Sequence, residues 1–266
     1  MNNPQYIYPL WNAPSNVKSV ITTRYGGYST GKYASFNLAT HVDDDLQTVE
    51  QNRQLLQNIL PSTPLWLNQT HSTNILDIRS QDIECQDKTY YRDTQYQNKQ
   101  LNTKHDYDAI IINNKNQVGV VMTADCAPIL LTNKQGGFVA AIHAGWRGVL
   151  NNITSKTIWK LNTNTSDIIA YIGPSICQKH FEVGNDCYEQ FIQLDKNTAS
   201  YFIRHNDRFL CDLVGIIRLQ LLQCGLNSNN IYQHADCTFC DFDKFYSYRR
   251  DGITGRIASL IWLNHA

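Results

Sequence analysis

Residues 122–149, MTADCAPILLTNKQGGFVAAIHAGWRGV, constrain this chain more than any other stretch. Residues 128–132 and 138–142 are apolar runs of strand length on either side of the turn-forming segment 133–137, and together they predict a β-hairpin. A helix is expected directly afterwards, because Val149, Leu150, Ile153, Ile158 and Leu161 recur at helical spacing. Cys126 precedes the first run and His143 ends the second, so a thiol and an imidazole stand at strand ends, where rigid scaffolds display reactive groups. Gly145 and Gly148 allow close approaches or backbone angles that a side chain would block, and the free N–H groups of a helix start attract anions. Arg147 falls in that first turn. The helix dipole disfavours a cation there by roughly 0.3–1 kcal/mol, so an anionic ligand or a carboxylate is expected to compensate it.

With 266 residues and 42% hydrophobic content, the chain can bury a substantial core, and one domain spanning 1–266 is expected. Lysine plus arginine equals aspartate plus glutamate, 23 each, so no overall field draws the protein to nucleic acid or to an anionic membrane. Any bound anion must be met by local groups. The first residues lack a basic cluster and an unbroken apolar run, and no other run reaches membrane-spanning length, which predicts a cytoplasmic protein. Eight dispersed cysteines without an export signal argue for free thiols, most of them buried. Nothing marks an obligate protein partner.

In chain order, residues 19–24 predict a strand, and 25–31 a glycine-rich turn that would bring backbone close to a ligand and present Arg24. Asp43, Asp44 and Asp45 mark the start of a helix through Val49, Leu55, Leu56 and Ile59. The segment 80–107 is polar and aperiodic, and is expected to be a long surface loop. Residues 107–112 and 118–122 predict a second hairpin around 113–116, and 168–172 another buried strand. A short helix is expected around 187–192. Asp212 should cap a helix stopped by Gly225, and residues 259–263 should form a closing strand.

Catalytic zinc sites use three protein N and S donors and leave a fourth position open, a set that His71, Cys126 and His143 can supply. Their spacing matches no compact zinc motif, and a Cys126 nucleophile with His143 as its base is the competing arrangement. Cys237-x-x-Cys240 is half a zinc knuckle with no evident second pair, which favours two packed thiols. Arg249 and Arg250 can grip a phosphate or carboxylate, or brace a turn. Tyr246 and Tyr248 alternate as on a strand, pointing one way to stack on a flat ring or to pack.

Taken together, residues 68–71 (NQTH), 123–128 (TADCAP), 143–148 (HAGWRG), 172–174 (IGP) with 181–184 (FEVG), and 237–240 (CTFC) with 245–252 (FYSYRRDG) resemble the laccase-domain family. This polyphenol-oxidase-like or YfiH family is also described as purine nucleoside phosphorylases. The match extends from ITTRYGG and SFNL near the start to about residue 263. The resemblance implies a single α+β domain with mixed β-sheets layered between helices, similar to the cytotoxic-necrotizing-factor-like cysteine hydrolases. It implies His71, Cys126 and His143 as metal ligands, with zinc expected and copper possible for one thiolate with two imidazoles. The implied activities are phosphorolysis of adenosine, inosine and methylthioadenosine, with purine nucleosides and phosphate as partners, and deamination of adenosine. Cys126 and Asp125 become the catalytic candidates, Asp125 as proton carrier. Arg24, Arg147, Arg249 and Arg250 are candidates to hold the anion, and Asn37 and Gln69 fall in matching motifs as substrate-binding residues. Three alternatives stand beside this: a copper-dependent polyphenol oxidase, which would need many more histidines; a cysteine-dependent amide hydrolase editing a cell-wall precursor; and a non-catalytic metal-binding protein. The long 80–107 segment, Tyr107 before Asp108, and Cys177 with Lys179 depart from the family pattern, which leaves substrate preference open.

Overall fold

Six apolar runs become strands without a single exposed residue, which requires cover on both faces of their sheets. A computed structural model, describing residues 3–79 and 106–264, provides that cover in layers. A four-stranded antiparallel sheet runs β1 (Tyr6–Ile7), β2 (Val17–Thr22), β13 (Ile257–Leu263), β5 (Val118–Thr123). A six-stranded mixed sheet runs β12 (Ile231–Gln233), β8 (Ile168–Ile172), β6 (Ala127–Asn133), β7 (Val139–Ala144), β4 (Ala109–Ile112), β3 (Ile75–Asp77). Its β12–β8 and β3–β4 pairs are parallel. A small sheet of β10 (Phe202–His205), β11 (Arg208–Cys211) and β9 (Glu182–Val183) stands apart.

The period-two alternation of strand side chains explains the layering. Ile110, Ile112, Leu130, Val139 and Ala141 of the six-stranded sheet pack on Ile21, Val121, Ile257 and Ile261 of the four-stranded one. Opposite faces of the same strands pack on helices. Ile129, Leu131, Ala140 and Ile142 meet residues of α3 (Ile153–Leu161), α4 (Asn185–Leu194) and α5 (Leu213–Gln223). Val118, Val120, Leu260 and Trp262 meet Phe36, Leu38 and Leu56, the last from α1 (Leu46–Gln57). The fold is thus α+β, with two sheets layered between helices.

Local signals set the helix ends. Asp45 accepts the Thr48 amide at the start of α1, and Asp212 accepts that of Gly215 at the start of α5; such caps contribute about 1 kcal/mol each. The expected hairpin at 128–142 forms as β6–β7, with Pro128 opposite His143. The expected hairpin of 107–112 with 118–122 does not: β4 pairs with β3 and β7, whereas β5 pairs with β13. Uninterrupted apolar runs carry no alternation to fix a partner, and these two strands stack across the sheets, Ile110 and Ile112 in one cluster with Val121. Gly119 permits it, since a Cβ there would lie 3.0 Å from Ile112 and 3.1 Å from Ile110. The helix expected after residue 145 is also interrupted, into α2 (Trp146–Leu150) and α3, by Asn152 in a left-handed conformation. Of the loop expected at 80–107, residues 80–105 lie outside the described residues.

Candidate active site

Strand register creates the reactive group. With Ala127 opposite Ala144, the residues at that end of the β6–β7 pair, Cys126 and His143, converge. His71 reaches them from the loop between α1 and β3, at φ +62°. Cys126 Sγ lies 3.7 Å from His71 Nε2, and the donor atoms of His71, Cys126 and His143 lie within 4.8 Å of one another. Asp108, fully buried just before β4, holds the set together. Its Oδ1 meets His143 Nδ1 at 2.7 Å, which leaves Nε2 facing the group, and its carboxylate accepts the amides of His71 and Ser72 and the Ser72 hydroxyl. A carboxylate fixing the far nitrogen of a histidine is the usual support of a metal ligand. Burial works against the Asp108 charge, yet these bonds hold its carboxyl below the ordinary range. Burial likewise opposes charge at Cys126 and His143, but their mutual attraction lowers the thiol and raises the imidazole.

A cavity of about 470 Å³ opens above the three donors, within the size range of small-molecule sites. Its charged lining is Arg147, Arg249, Arg256 and Asp125, with the His41 imidazole beside them, and its aromatic walls are Trp146, Phe181 and Tyr248. The expected set of donors, the cationic neighbours and the aromatic walls therefore share one space. Residues 18–264 match the family described as multi-copper polyphenol oxidoreductase laccase. The chain belongs to this family.

Relatives of this laccase-family chain include a purine nucleoside phosphorylase of Haemophilus influenzae, 40% identical over 97% of this chain and 99% of its own length. The purine nucleoside phosphorylase YfiH of Escherichia coli is 37% identical over 97% of this chain and 98% of its own. A crystal structure of a Neisseria meningitidis protein, 37% identical, superposes with a TM-score of 0.86 over 99% of this chain and 100% of that one. The family description speaks of several coppers, whereas the converging donors here are two imidazoles and one thiol, a set that zinc or a single copper fits. Among the described residues no helix is long and apolar enough to cross a membrane.

Within this laccase-family site, the first glycine of HAGWRG has a definite task. A Cβ at Gly145 would lie 2.6 Å from the His71 ring and 2.9 Å from Cys126 Sγ, so only glycine leaves the donors their positions. Gly145→Ala is expected to cost about 1–3 kcal/mol of displaced packing, a 10- to 100-fold loss of metal affinity at this group. Chelator competition on the folded variant checks it; unchanged affinity would show that the donors lie elsewhere.

The candidate site residues divide between the cavity and its frame. Gln69 lines the cavity, and both ends of its amide bond the backbone of Met122, which fixes the NQTH loop on β5. Asp125, at φ +88°, also lines it; one carboxylate oxygen accepts the Thr238 hydroxyl and the other the Arg249 amide. Arg147 stacks on the Trp146 ring at 4.4 Å and has no ion pair among the described residues. Arg249 reaches the Glu182 carbonyl beside Phe181.

Three residues proposed from sequence as substrate-binding are not brought to the cavity. Arg24 bonds the carbonyls of Ala34 and Phe242 over the Tyr246 ring, and Gly26 and Gly27 pack on the chain itself rather than facing a ligand. Arg250 is held by Asp251 and by the carbonyls of Thr238, Phe239 and Phe245. Asn37 is buried, bonding Asp44 and accepting the Arg256 amide, so it supports Arg256 from behind. All three are frame. Tyr246 and Tyr248 do not point one way: Tyr246 is buried with its hydroxyl on the Tyr33 carbonyl, while Tyr248 opens α6 (Tyr248–Asp251) and lines the cavity. The residues SYRRD carry a cap at Ser247, which accepts the Arg250 amide, so helix wins over strand. Sequence patterns gave no sign of Arg256 or His41, which lie far along the chain from the donors. Burial, then Arg256 nearby, pushes the His41 imidazole down. Cys237 and Cys240, expected as two packed thiols, instead meet a second pair, Cys177 and His180.

Proposed function

We propose that this chain is a zinc-dependent purine nucleoside phosphorylase that accepts adenosine, inosine and methylthioadenosine and also deaminates adenosine. The observation that carries this reading is the single cavity in which a His2Cys donor set and three guanidinium groups, Arg147, Arg249 and Arg256, lie together. Relatives bearing the name purine nucleoside phosphorylase over nearly their full length support it.

A zinc ion held by His71, Cys126 and His143 would supply Lewis acidity beside the substrate. The rest falls to the chain's own residues. Tyr248, Phe181 and Trp146 offer flat apolar faces to a purine. In phosphorolysis a phosphate oxygen bonds the anomeric carbon while the carbon–nitrogen bond breaks, and the base leaves with a proton. Arginines hold that phosphate and orient it, Arg147 from the start of α2 and Arg256 from a guanidinium fixed on the carbonyls of Thr254 and Gly255. In deamination water adds at C6 and ammonia leaves; Asp125 is the carboxylate of the lining that carries the proton, kept in place by Thr238 and Arg249.

Zinc-loaded protein is expected to convert adenosine with phosphate to adenine and ribose 1-phosphate, and without phosphate to inosine, both read by chromatography. Absence of both products from folded, metal-replete protein overturns the reading. A second reading is then favoured by one observation: Cys126, His143 and Asp108 stand in the order thiol, imidazole, carboxylate, the arrangement of a cysteine amide hydrolase. That reading requires peptide-amide turnover by metal-free protein, abolished in Cys126→Ser.

A further inference from the structure

A second donor cluster stands outside the catalytic group. Cys177, His180, Cys237 and Cys240 place one ligand atom each within 4.8 Å of one another. His180 Nδ1 lies 3.3 Å from both Cys177 Sγ and Cys240 Sγ, and those sulfurs are 4.0 Å apart. A tetrahedral zinc at its usual bond lengths leaves sulfurs about 3.8 Å apart and a nitrogen about 3.6 Å from each sulfur. The observed edges bracket those values.

The setting is that of ligands rather than packed thiols. Cys187 and Cys211 belong to the apolar core, whereas Cys177 and Cys237 are half-buried and Cys240 is exposed, outside every apolar cluster. Two turns with the same two-residue gap, Cys177-x-x-His180 and Cys237-x-x-Cys240, face each other. The Cys177 amide donates to Cys237 Sγ at 3.2 Å, which ties one turn to the other. Phe239 stacks on the His180 ring at 4.2 Å and fixes its orientation. No disulfide joins these cysteines.

We propose that Cys177, His180, Cys237 and Cys240 bind one structural zinc ion, separate from the catalytic metal. Four protein donors leave no open position, so the ion holds structure and performs no chemistry. It clamps together two loops that build the cavity. Ser175 accepts the Thr238 amide between them; one loop carries Ile176 and Phe181 to the cavity wall, and the other leads to Tyr248 and Arg249.

The test counts zinc without reference to turnover. Cys126→Ser/His143→Ala protein, which lacks the catalytic donors, is expected to retain one zinc per chain by elemental analysis and native mass. Adding Cys240→Ser should remove it, while adding His180→Cys, which keeps four donors, should not. Should Cys240→Ser fail to fold, alkylation of the two-substitution protein decides: Cys177, Cys237 and Cys240 should resist N-ethylmaleimide until a chelator is added. Folded two-substitution protein without zinc overturns the proposal. So does full zinc after Cys240→Ser, immediate alkylation at Cys240 regardless of chelator, or an intact mass showing a Cys177–Cys240 disulfide. Loss of nucleoside turnover alone bears only on the catalytic reading.

Discussion

Cys126→Ser is expected to leave the cavity unable to hold the proposed metal and to reduce the proposed nucleoside turnover by at least about 100-fold, beyond the 10- to 100-fold range of losses seen when only the support of a ligand is removed. Serine keeps the size of cysteine, but its hydroxyl stays protonated near neutral pH and offers a hard oxygen where the thiolate, lowered by its neighbouring imidazoles, offered a soft anionic donor. His71 and His143 then remain as two donors without the thiolate that retains the ion. Asp108→Asn is the graded control. Its amide keeps the shape but places an NH2 group among the donors that Asp108 now accepts, those of His71, Ser72 and His143. Zinc affinity at this group is expected to fall by about 10- to 100-fold, with the fold intact. Chelator competition and melting temperature give both quantities. Retention of metal and turnover in Cys126→Ser would show that the His2Cys group is not the metal centre.

Arg147→Met is expected to raise the phosphate requirement of inosine cleavage by tenfold or more while leaving adenosine deamination much less affected. Methionine retains a long apolar stem over Trp146, so the packing of the stack survives and the charge is lost. A charge-assisted bond of roughly 1.5–3 kcal/mol sets the size of the effect. The cation sits in the first turn of α2, where the helix dipole does not favour it, and no carboxylate among the described residues neutralises it. Phosphate in the cavity would do so. Deamination uses no phosphate and serves as the internal control, provided zinc content matches the unsubstituted protein. Equal loss of both activities would assign Arg147 to orienting the nucleoside. Phosphate would then be sought at Arg249 or Arg256, which line the cavity, whereas Arg24 and Arg250 lie outside its lining.

Several parts of the site were legible in the chain because they depend on neighbours in sequence. The ends of β6 and β7 could be placed from two apolar runs and a turn, and with them Cys126 and His143. The start of α2 behind Gly145, and the caps of α1 and α5, follow from local backbone chemistry. His71 could be offered as a third donor from its residue type alone, and the resemblance of its NQTH motif made that set the preferred one, since nothing in its own surroundings marks a ligand. Arg24, Asn37 and Arg250 show the converse. Each lies in a family motif, yet a guanidinium or an amide that motif places can equally brace a carbonyl, and which it does depends on what packs opposite.

The sequence by itself determined the β6–β7 hairpin and, at its ends, two of the three candidate donors, because strand periodicity and turn chemistry act over a few residues; the α+β class and the family came from the resemblance of its motifs. Tertiary structure alone decided that β4 and β5 belong to different sheets, a choice made by stacked apolar faces and by the space at Gly119. It alone placed Asp108 beneath His143, and Arg256 and His41 in the cavity, where residues distant along the chain meet across packed layers. The Cys177–His180 turn and the Cys237–Cys240 turn are separated by a helix-rich stretch containing α4 and α5, so neither predicts the other. Four donors become one candidate zinc site only because the loops that carry them fold against each other beside the cavity.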